Sequence, residues 1–348
     1  MKTLRGLVIL MTLSIALLGC DRDQQPAQSG NETPVRAETE QAQEPVAAEA
    51  AQEAQPGAVQ CDRACLIGMV DSYLAALVAH DPAQVPIAAD AKFVENVTKM
   101  APGEGLWLTA SEVPATFKIY VPDPVAGQVG FLGVMKETDL PVLLALRLKL
   151  ADGKLTEMEH LVARNLGEPN LPNLQAPRPG LLTSVPESER MTREELIAIG
   201  ATYYDALVDD NGSLAPFADD CVRRENGMQT TSNPPPKEGD TGMGLFGAMG
   251  CAAQLDTKIM SYIDSIDNRR VEIADVETGL VFGLSHFRHG MVNKTIEIVG
   301  VPGVEKREMN FDPFDLPAAH VYKVTGGKMH EIEAMGFRAD YNSPTGWE

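Results

Sequence analysis

The sequence is poor in basic residues relative to acidic ones. It has 29 Lys and Arg against 49 Asp and Glu, which gives a formal net charge of −20 at pH 7. Nucleic acid is not expected as a partner, because its binding relies on cationic side chains that neutralise phosphates. Aromatic residues are also scarce, with 2 Trp, 7 Tyr and 10 Phe, so neither a base-stacking surface nor a membrane girdle is predicted. The 348 residues, 44% of them hydrophobic, are enough for two domains with substantial cores.

The N-terminus carries an export signal. Lys2 and Arg5 precede the apolar run Leu7–Leu18, which is too short to span a bilayer and has the layout of a cleaved signal peptide. The run ends in Leu17-Leu18-Gly19-Cys20, which resembles the lipobox of bacterial lipoproteins. That resemblance implies that residues 1–20 are the signal, that Cys20 is lipidated, and that the protein is exported and anchored to the cell envelope, facing the periplasm or the surface. The alternative is an ordinary signal peptide followed by a coincidental cysteine.

The next segment contains almost no residues that can build a core. Residues 21–60 lack Leu, Ile, Met and all aromatics, and are rich in Gln, Ala, Glu and Pro. Burial cannot offset the entropy of ordering such a chain. We predict a disordered acidic tether with a reach of roughly 35 Å.

Four cysteines remain after Cys20. In an oxidising compartment Cys61, Cys65, Cys221 and Cys251 are expected to form disulfides rather than bind metal. Three connectivities are open, and we favour Cys61 with Cys65 as a local clip and Cys221 with Cys251 closing a Gly/Pro-rich loop. No histidine lies at a spacing that would complete a zinc site with them. The sequence predicts neither a metal nor a cofactor.

The chain repeats itself once at an offset of 130 residues. Of the 32 positions 65–96, 11 are identical to positions 195–226, which indicates an internal duplication. The identities are Leu66/Leu196, Ile67/Ile197, Tyr73/Tyr203, Ala76/Ala206, Leu77/Leu207, Val78/Val208, Pro86/Pro216, Ala88/Ala218, Asp90/Asp220, Glu95/Glu225 and Asn96/Asn226. We predict a first domain over 61–168, a linker over 169–189 and a second domain over 190–348. An insertion at about 290–317 in the second domain is either a binding loop or a surface decoration.

Each copy opens with a helical pattern and continues with alternating strand patterns, which is typical of an α+β fold. The helices are predicted from the apolar spacing after Leu66 and Leu196. In the second copy the predicted strands include Ile259–Asp264, Arg270–Val276 and His320–Val324.

Three motifs shared by the copies carry a family resemblance. They are Tyr-x-x-Ala-Leu followed after 18 residues by Glu-Asn, a Gly-Leu-Trp/Phe segment, and a final Gly-Lys-x-x-Glu-x-Glu strand. The pattern resembles the nuclear transport factor 2-like superfamily, also called SnoaL-like or ketosteroid-isomerase-like. The resemblance implies two tandem cone-shaped domains, each a curved antiparallel sheet wrapped around N-terminal helices, with a mouth that admits small molecules. The superfamily includes isomerases, dehydratases, cyclases and non-catalytic modules, and no catalytic set of the family aligns with this chain.

The Glu-Asn pairs are the sharpest shared polar feature. On a strand the two side chains of Glu95-Asn96 or Glu225-Asn226 point to opposite faces. A Glu inside a cone would serve as a general acid or base, and an Asn would donate to an oxyanion. The alternative is structural, with both side chains bonded to loop backbone in the same way in each copy.

Histidines supply the second candidate group. His286 and His320 fall on neighbouring predicted strands, where they would form a proton relay. The alternatives are a metal site with Glu331 or Glu333, and histidines that are simply solvated or part of the core. His160 is expected on a surface strand. The predicted catalytic residues are Glu225, Asn226, His286 and His320. The predicted binding residues are Glu95, Asn96, Trp107, Tyr204, Arg224, Phe246, His289 and His330.

These patterns predict a membrane-anchored protein that binds a small, partly apolar organic molecule, and they leave open whether it also has cofactor-free lyase, dehydratase or isomerase activity. The alternative is a non-catalytic ligand-binding or scaffold module of the cell envelope. The sequence leaves the ligand and the oligomeric state open.

Overall fold

A computed structural model describes residues 61–238 and 242–348 of the chain. The predicted signal peptide, the lipidation site Cys20 and the tether over 21–60 lie outside the described residues. Within the described ranges, no helix combines the length and the apolar character needed to cross a membrane.

The first half of the chain forms one helix and one seven-stranded sheet, which together we call the first lobe. Its elements are α1 (Arg63–Val78), β1 (Ile87–Glu95), β2 (Thr98–Met100), β3 (Ala110–Glu112), β4 (Lys118–Asp123), β5 (Gln128–Glu137), β6 (Leu140–Ala151) and β7 (Lys154–Ala163). The strand order is β2-β1-β7-β6-β5-β3, with β4 also paired to β5. All pairs are antiparallel except β1 with β7.

A connecting segment, residues 164–192, contains a 3-10 helix (Glu168–Leu174) and the short helix α2 (Pro179–Leu182). The second lobe follows. Its helices are α3 (Arg193–Val208), α4 (Met243–Gly247) and α5 (Cys251–Asp256). Its strands are β8 (Phe217–Glu225), β9 (Met228–Gln229), β10 (Ser265–Asp275), β11 (Leu280–His289), β12 (Thr295–Glu297), β13 (Lys306–Glu308), β14 (Phe314–Thr325), β15 (Lys328–Gly336) and β16 (Ala339–Asp340).

The second sheet has the same layout as the first. Its order is β9-β8-β15-β14-β11-β10, with β16 beside β14 and a parallel pair between β8 and β15. The strands β12 and β13 form a separate hairpin inside the insertion. The fold class is therefore the α+β arrangement of two sheet-dominated domains that the sequence predicts.

Each long helix packs on the inner face of its own sheet. Thr192 begins α3 with a capping box to Glu195, which satisfies backbone donors that a helix start leaves free. Apolar residues of α3, including Leu196 and Leu207, then pack with strand residues such as Val281 and Tyr322. Strand alternation directs these side chains inward, and this inner packing forms one core in each lobe.

A third core lies between the two sheets. It joins Phe117 and Leu143 of the first lobe to Leu280, Phe282 and other residues of the second. Both sheets are thus buried on two faces, and the described residues belong to one compact unit.

Two predicted strand boundaries are wrong. Residues 257–262 of the second lobe form turns, and residues 265–275 make one continuous strand. The strand β14 begins at Phe314 rather than His320, because Pro317 is accommodated within the ladder opposite His286. Pro317, the last residue of the predicted insertion, therefore belongs to the sheet.

Candidate functional site

A cavity of about 350 Å³ lies between the second lobe and the connecting segment. The second lobe lines it with α3, with the inner faces of β11, β14 and β15, and with the end of β8. Its walls are largely aromatic and apolar, with Tyr203, Tyr262 and Phe287 among the lining residues. Three ionisable side chains that the sequence singled out also line it, namely Glu225, His289 and His320.

His320 lies on the inward face of β14 and is 3% exposed. Its Nδ1 is 3.3 Å from the hydroxyl of Tyr204, and its ring is parallel to that of Tyr322 with centroids 5.7 Å apart. Burial, reinforced by the positive charge of Arg223, lowers the pKa of His320 to about 3. The imidazole is therefore neutral near pH 7, with one ring nitrogen acting as a donor and the other as an acceptor.

His289 closes the strand β11 and is also buried. Its ring stacks on Phe314, with centroids 4.2 Å apart, and on Tyr262 at 5.5 Å. Burial lowers the pKa of His289 to about 4. The cavity thus has two uncharged imidazoles in aromatic surroundings.

Glu225 stands at the end of β8, where the cavity meets solvent. Its Oε1 is 3.0 Å from Nε of Arg223, and its side chain is 41% exposed. Arg223 is itself buried and donates to Oε1 of Gln254 at 2.5 Å. Glu225 is therefore a carboxylate at the rim that is paired with Arg223, and not the carboxylate inside the cone that the sequence predicts.

Asn226 lines the cavity, but its amide is engaged with the backbone. Its Nδ2 donates to the carbonyl of Gly336 at 2.8 Å, and its Oδ1 accepts from the N–H of Gly336 at 3.1 Å. Asn96 forms the same pair of bonds with Val162, at 3.1 and 2.7 Å. Both asparagines have positive φ, 45° and 47°, a conformation that asparagine tolerates well. These bonds use one of the two Nδ2 hydrogens of each asparagine. The same pairing with strand backbone in both lobes is the structural alternative for the Glu-Asn pairs.

The corresponding position of the first lobe is filled. The hydroxyl of Tyr73 is 2.9 Å from Nε2 of His160, and Nδ1 of His160 is 3.1 Å from Oε2 of Glu95. Trp107 is fully buried, with its ring 5.1 Å from that of Tyr73. Burial favours a higher pKa for Glu95, but hydrogen bonds from His160 and the Leu106 N–H, together with Arg164, outweigh it and hold the pKa below its usual range.

Two differences between the lobes account for the cavity. Glu95 is opposite His160 on β7, whereas Glu225 is opposite Ala334 on β15. The counterpart of Trp107, Phe246, packs instead in a separate cluster with Ile296 of the inserted hairpin. The second lobe therefore lacks both large side chains at this place. Trp107 and Phe246, predicted to bind ligand, are core residues.

Other predicted residues lie away from the cavity. His286 is on the opposite face of β11 from Phe287 and His289, because side chains alternate along a strand. It contacts Ser343 at 3.1 Å and Arg288 at 3.2 Å, so the predicted relay with His320 is wrong. Burial, followed by the charge of Arg288, lowers its pKa.

Three further predicted binding residues occupy other places. Tyr204 stands behind His320 as its hydrogen-bond partner. Arg224 points to the connecting segment, 3.5 Å from the carbonyl of Asn173. His330 pairs with Asp220 at 2.7 Å on the surface.

Sequence reasoning missed several residues that shape the site. Tyr203 lines the cavity, and its identity with Tyr73 in the duplication is the sequence signal that could have found it. Tyr262 and Leu166 had no signal, since only the folded chain brings them to the cavity. His160, expected on the surface, is buried because β7 is a central strand. Within the described ranges, no three His, Cys, Asp or Glu side chains are grouped as a metal site requires.

Both favoured disulfides are present. Cys61 is bonded to Cys65, and Cys221 to Cys251. The second bond ties β8 to α5 beside the cavity wall. Disulfides are typical of proteins outside the cytosol.

Comparisons with known proteins give limited matches. A family model described as a domain of unknown function, DUF8021, matches residues 189–336. No curated protein matches the chain.

Among solved structures, a proposed polyketide cyclase from Silicibacter sp. is 12% identical, with a TM-score of 0.27, over 42% of this chain and 92% of that one. A proposed polyketide cyclase from Xanthomonas campestris is 15% identical, with a TM-score of 0.27, over 41% of this chain and 90% of that one. A proposed hydroxylase from Streptomyces galilaeus, AclR, is 13% identical, with a TM-score of 0.25, over 42% of this chain and 77% of that one.

Proposed function

We propose that the second lobe binds a small, partly apolar organic molecule in its cavity. The observation that carries this proposal is the contrast between the lobes, in which the place filled by His160 and Trp107 in the first is a cavity of about 350 Å³ in the second. A space of this size with mostly apolar walls and a few polar groups is typical of a small-molecule site. The shared strand order supports placing both lobes in the nuclear transport factor 2-like superfamily.

Acid–base chemistry without a cofactor is the catalytic form of this proposal. His320 is neutral and within the cavity, and Glu225 offers a carboxylate at its rim. Positioned groups of these types transfer protons in dehydrations and isomerisations. In this form His320 and Glu225 are the proton-transfer groups.

Binding without turnover is the second candidate, and a specific observation favours it. Nδ1 of His320 is already bonded to Tyr204, and Glu225 is paired with Arg223. Groups that are satisfied by the protein are less available to take a proton from a ligand. A binding module would use the same cavity for recognition alone.

The location of the protein is proposed from the sequence and the disulfides together. The lipobox-like Cys20 and the tether over 21–60 would hold the lobes near a membrane surface, and the bonds Cys61–Cys65 and Cys221–Cys251 support an oxidising compartment. Labelling with radioactive palmitate, which a Cys20→Ser variant would lose, tests the anchor.

Ala334→His tests the site itself, because it restores the histidine that fills the first lobe. The purified wild-type protein is denatured, and the small molecules released are identified by mass spectrometry. We expect the wild type and the surface control His330→Ala to release the same compound and Ala334→His to release none. Equal release from all three would place the ligand outside the cavity. Turnover of the identified compound that is lost in both His320→Phe and Glu225→Gln would support the catalytic form.

A further inference from the structure

Part of the cavity wall comes from outside the second lobe. Asn165, Leu166, Gly167 and Asn170 line the cavity, and all four belong to the connecting segment that leaves β7 of the first lobe. Leu166 is buried and packs in the core between the sheets, together with Met335, which also lines the cavity. The connecting segment therefore forms a structural wall of the site.

Close contacts hold this wall against the second lobe. Asn173 donates from Nδ2 to the carbonyl of Gly227 at 2.9 Å. Gly227 has φ of 79°, and a Cβ there would lie 2.7 Å from Cγ of Leu174 and 2.9 Å from the carbonyl oxygen of Asn170. Only glycine allows the segment to approach the β8–β9 turn so closely.

A second clamp follows along the same segment. Arg178 donates to the carbonyls of Val222 and Ile332, at 2.8 and 2.9 Å, and its Nη2 is 3.1 Å from a carboxylate oxygen of Glu333. These bonds reach the strands β8 and β15, whose ends supply Glu225 and Ala334 to the cavity. The wall is thereby fixed relative to the groups it faces.

The C-terminal end of the chain makes the reciprocal contact. A Cβ on Gly346 would lie 2.7 Å from Cγ1 of Val94 and 2.9 Å from the carbonyl oxygen of Val97, at the β1–β2 turn. Val97 and Gly227 are equivalent at the offset of 130 residues. The chain that follows the last strand of each lobe thus covers the same turn of the other lobe.

From this exchange we infer that the ligand site is composite, that Leu166 contacts the ligand and that Asn170 positions Leu166. The inference rests on the proposed function of the cavity. Leu166 supplies apolar surface to a ligand, and Asn170 supports it through a hydrogen bond from Nδ2 to the Leu166 carbonyl at 3.1 Å. Residues 189–336, the part that matches the family model, do not contain this wall.

Binding of N-phenyl-1-naphthylamine, an uncharged apolar fluorophore, tests the inference in the full-length protein. Leu166→Ala and Asn170→Ala are compared with the wild type by fluorescence titration, and Leu181→Ala is the matched control. Leu181 is a fully buried leucine of the same segment and the same core, but it does not line the cavity. We expect the dissociation constant to rise at least fivefold in Leu166→Ala and at least threefold in Asn170→Ala, and to stay within twofold in Leu181→Ala.

Ala334→His separates failure of this inference from failure of the proposed function. If the wild type does not bind the probe, or if Ala334→His binds it as the wild type does, the cavity is not the site. Both the proposed function and the composite ligand site are then overturned. If Ala334→His abolishes binding while Leu166→Ala matches Leu181→Ala, only the composite wall is overturned. Asn170→Ala removes no core side chain, so it tests the composite wall if Leu166→Ala does not fold. An unchanged dissociation constant in Asn170→Ala would then count against the wall.

Discussion

Two cavity histidines make the stability of the protein depend on pH in a defined direction. Burial lowers the pKa of His320 to about 3 and that of His289 to about 4, whereas an unfolded histidine titrates near 6.5. Below about pH 6.5 the unfolded chain binds protons that the folded protein does not. The free energy of unfolding therefore keeps its full value above this pH and decreases as the pH falls below it. Each histidine contributes a loss of about 2 kcal/mol between pH 7 and pH 5.

His320→Phe is expected to remove half of this cavity contribution. The ring shape is kept, but the group that takes up the proton is gone, so the free energy of unfolding should fall by about 2 kcal/mol less than in the wild type between pH 7 and pH 5. Urea denaturation at the two pH values measures the difference. Leu316→Ala, which alters a cavity-lining residue that does not titrate, should keep the wild-type pH dependence. An unchanged dependence in His320→Phe would contradict the assignment of a neutral His320.

The two asparagines are predicted to be structural. Asn96→Ala and Asn226→Ala each remove two hydrogen bonds to the last strand of a lobe and place alanine at positive φ. Each should lower the free energy of unfolding by about 2 to 4 kcal/mol, measured by urea denaturation. Retained stability in Asn226→Ala together with lost binding of N-phenyl-1-naphthylamine would instead make Asn226 a ligand-contacting group.

At the level of elements, the disulfide between β8 and α5 is expected to stabilise the second lobe more than the other disulfide stabilises α1. Cys221 and Cys251 are 30 residues apart, and Cys61 and Cys65 are 4 apart. Because a longer closed loop removes more entropy from the unfolded chain, Cys221→Ala/Cys251→Ala should lose about 3.5 kcal/mol and Cys61→Ala/Cys65→Ala about 2 kcal/mol. Urea denaturation of the two double variants gives both numbers, and the reverse order would show that native contacts outweigh loop length.

The sequence predicts elements better than it predicts their faces. Helical spacing and alternation locate α1, α3 and most strands, and the duplication pairs Glu95 with Glu225. Which side of β11 carries His286 depends on the strand register, which is set by pairing with β14 across the insertion. The cavity itself follows from Ala334 standing where the first lobe has His160. The difference between His160 and Ala334 becomes informative only when the structure shows each of them opposite a glutamate.

At the scale of the whole molecule, the core between the sheets makes the lobes depend on each other. Its members come from both sheets, and Met335 connects it directly to the cavity. The first lobe therefore supports the cavity proposed as the ligand site in two ways, by supplying the connecting-segment wall and by covering the outer face of the second sheet. We therefore expect that a loss of packing in the first lobe also destabilises the second lobe.

Gly130→Ala tests this dependence. A Cβ at Gly130 on β5 would clash with the ring of Phe282 on β11, so the substitution forces the two sheets apart and should lower the free energy of unfolding by about 2 kcal/mol. Because both lobes share this core, scanning calorimetry should show one heat-absorption peak in the wild type and the same single peak at lower temperature in the variant. Gly68→Ala on α1, where a Cβ meets no atom within 4 Å, should instead raise the midpoint slightly, since alanine favours a helix by about 0.5 to 1 kcal/mol over glycine. Two resolved peaks, of which Gly130→Ala moves only one, would mean that the lobes unfold independently and that the shared core contributes little.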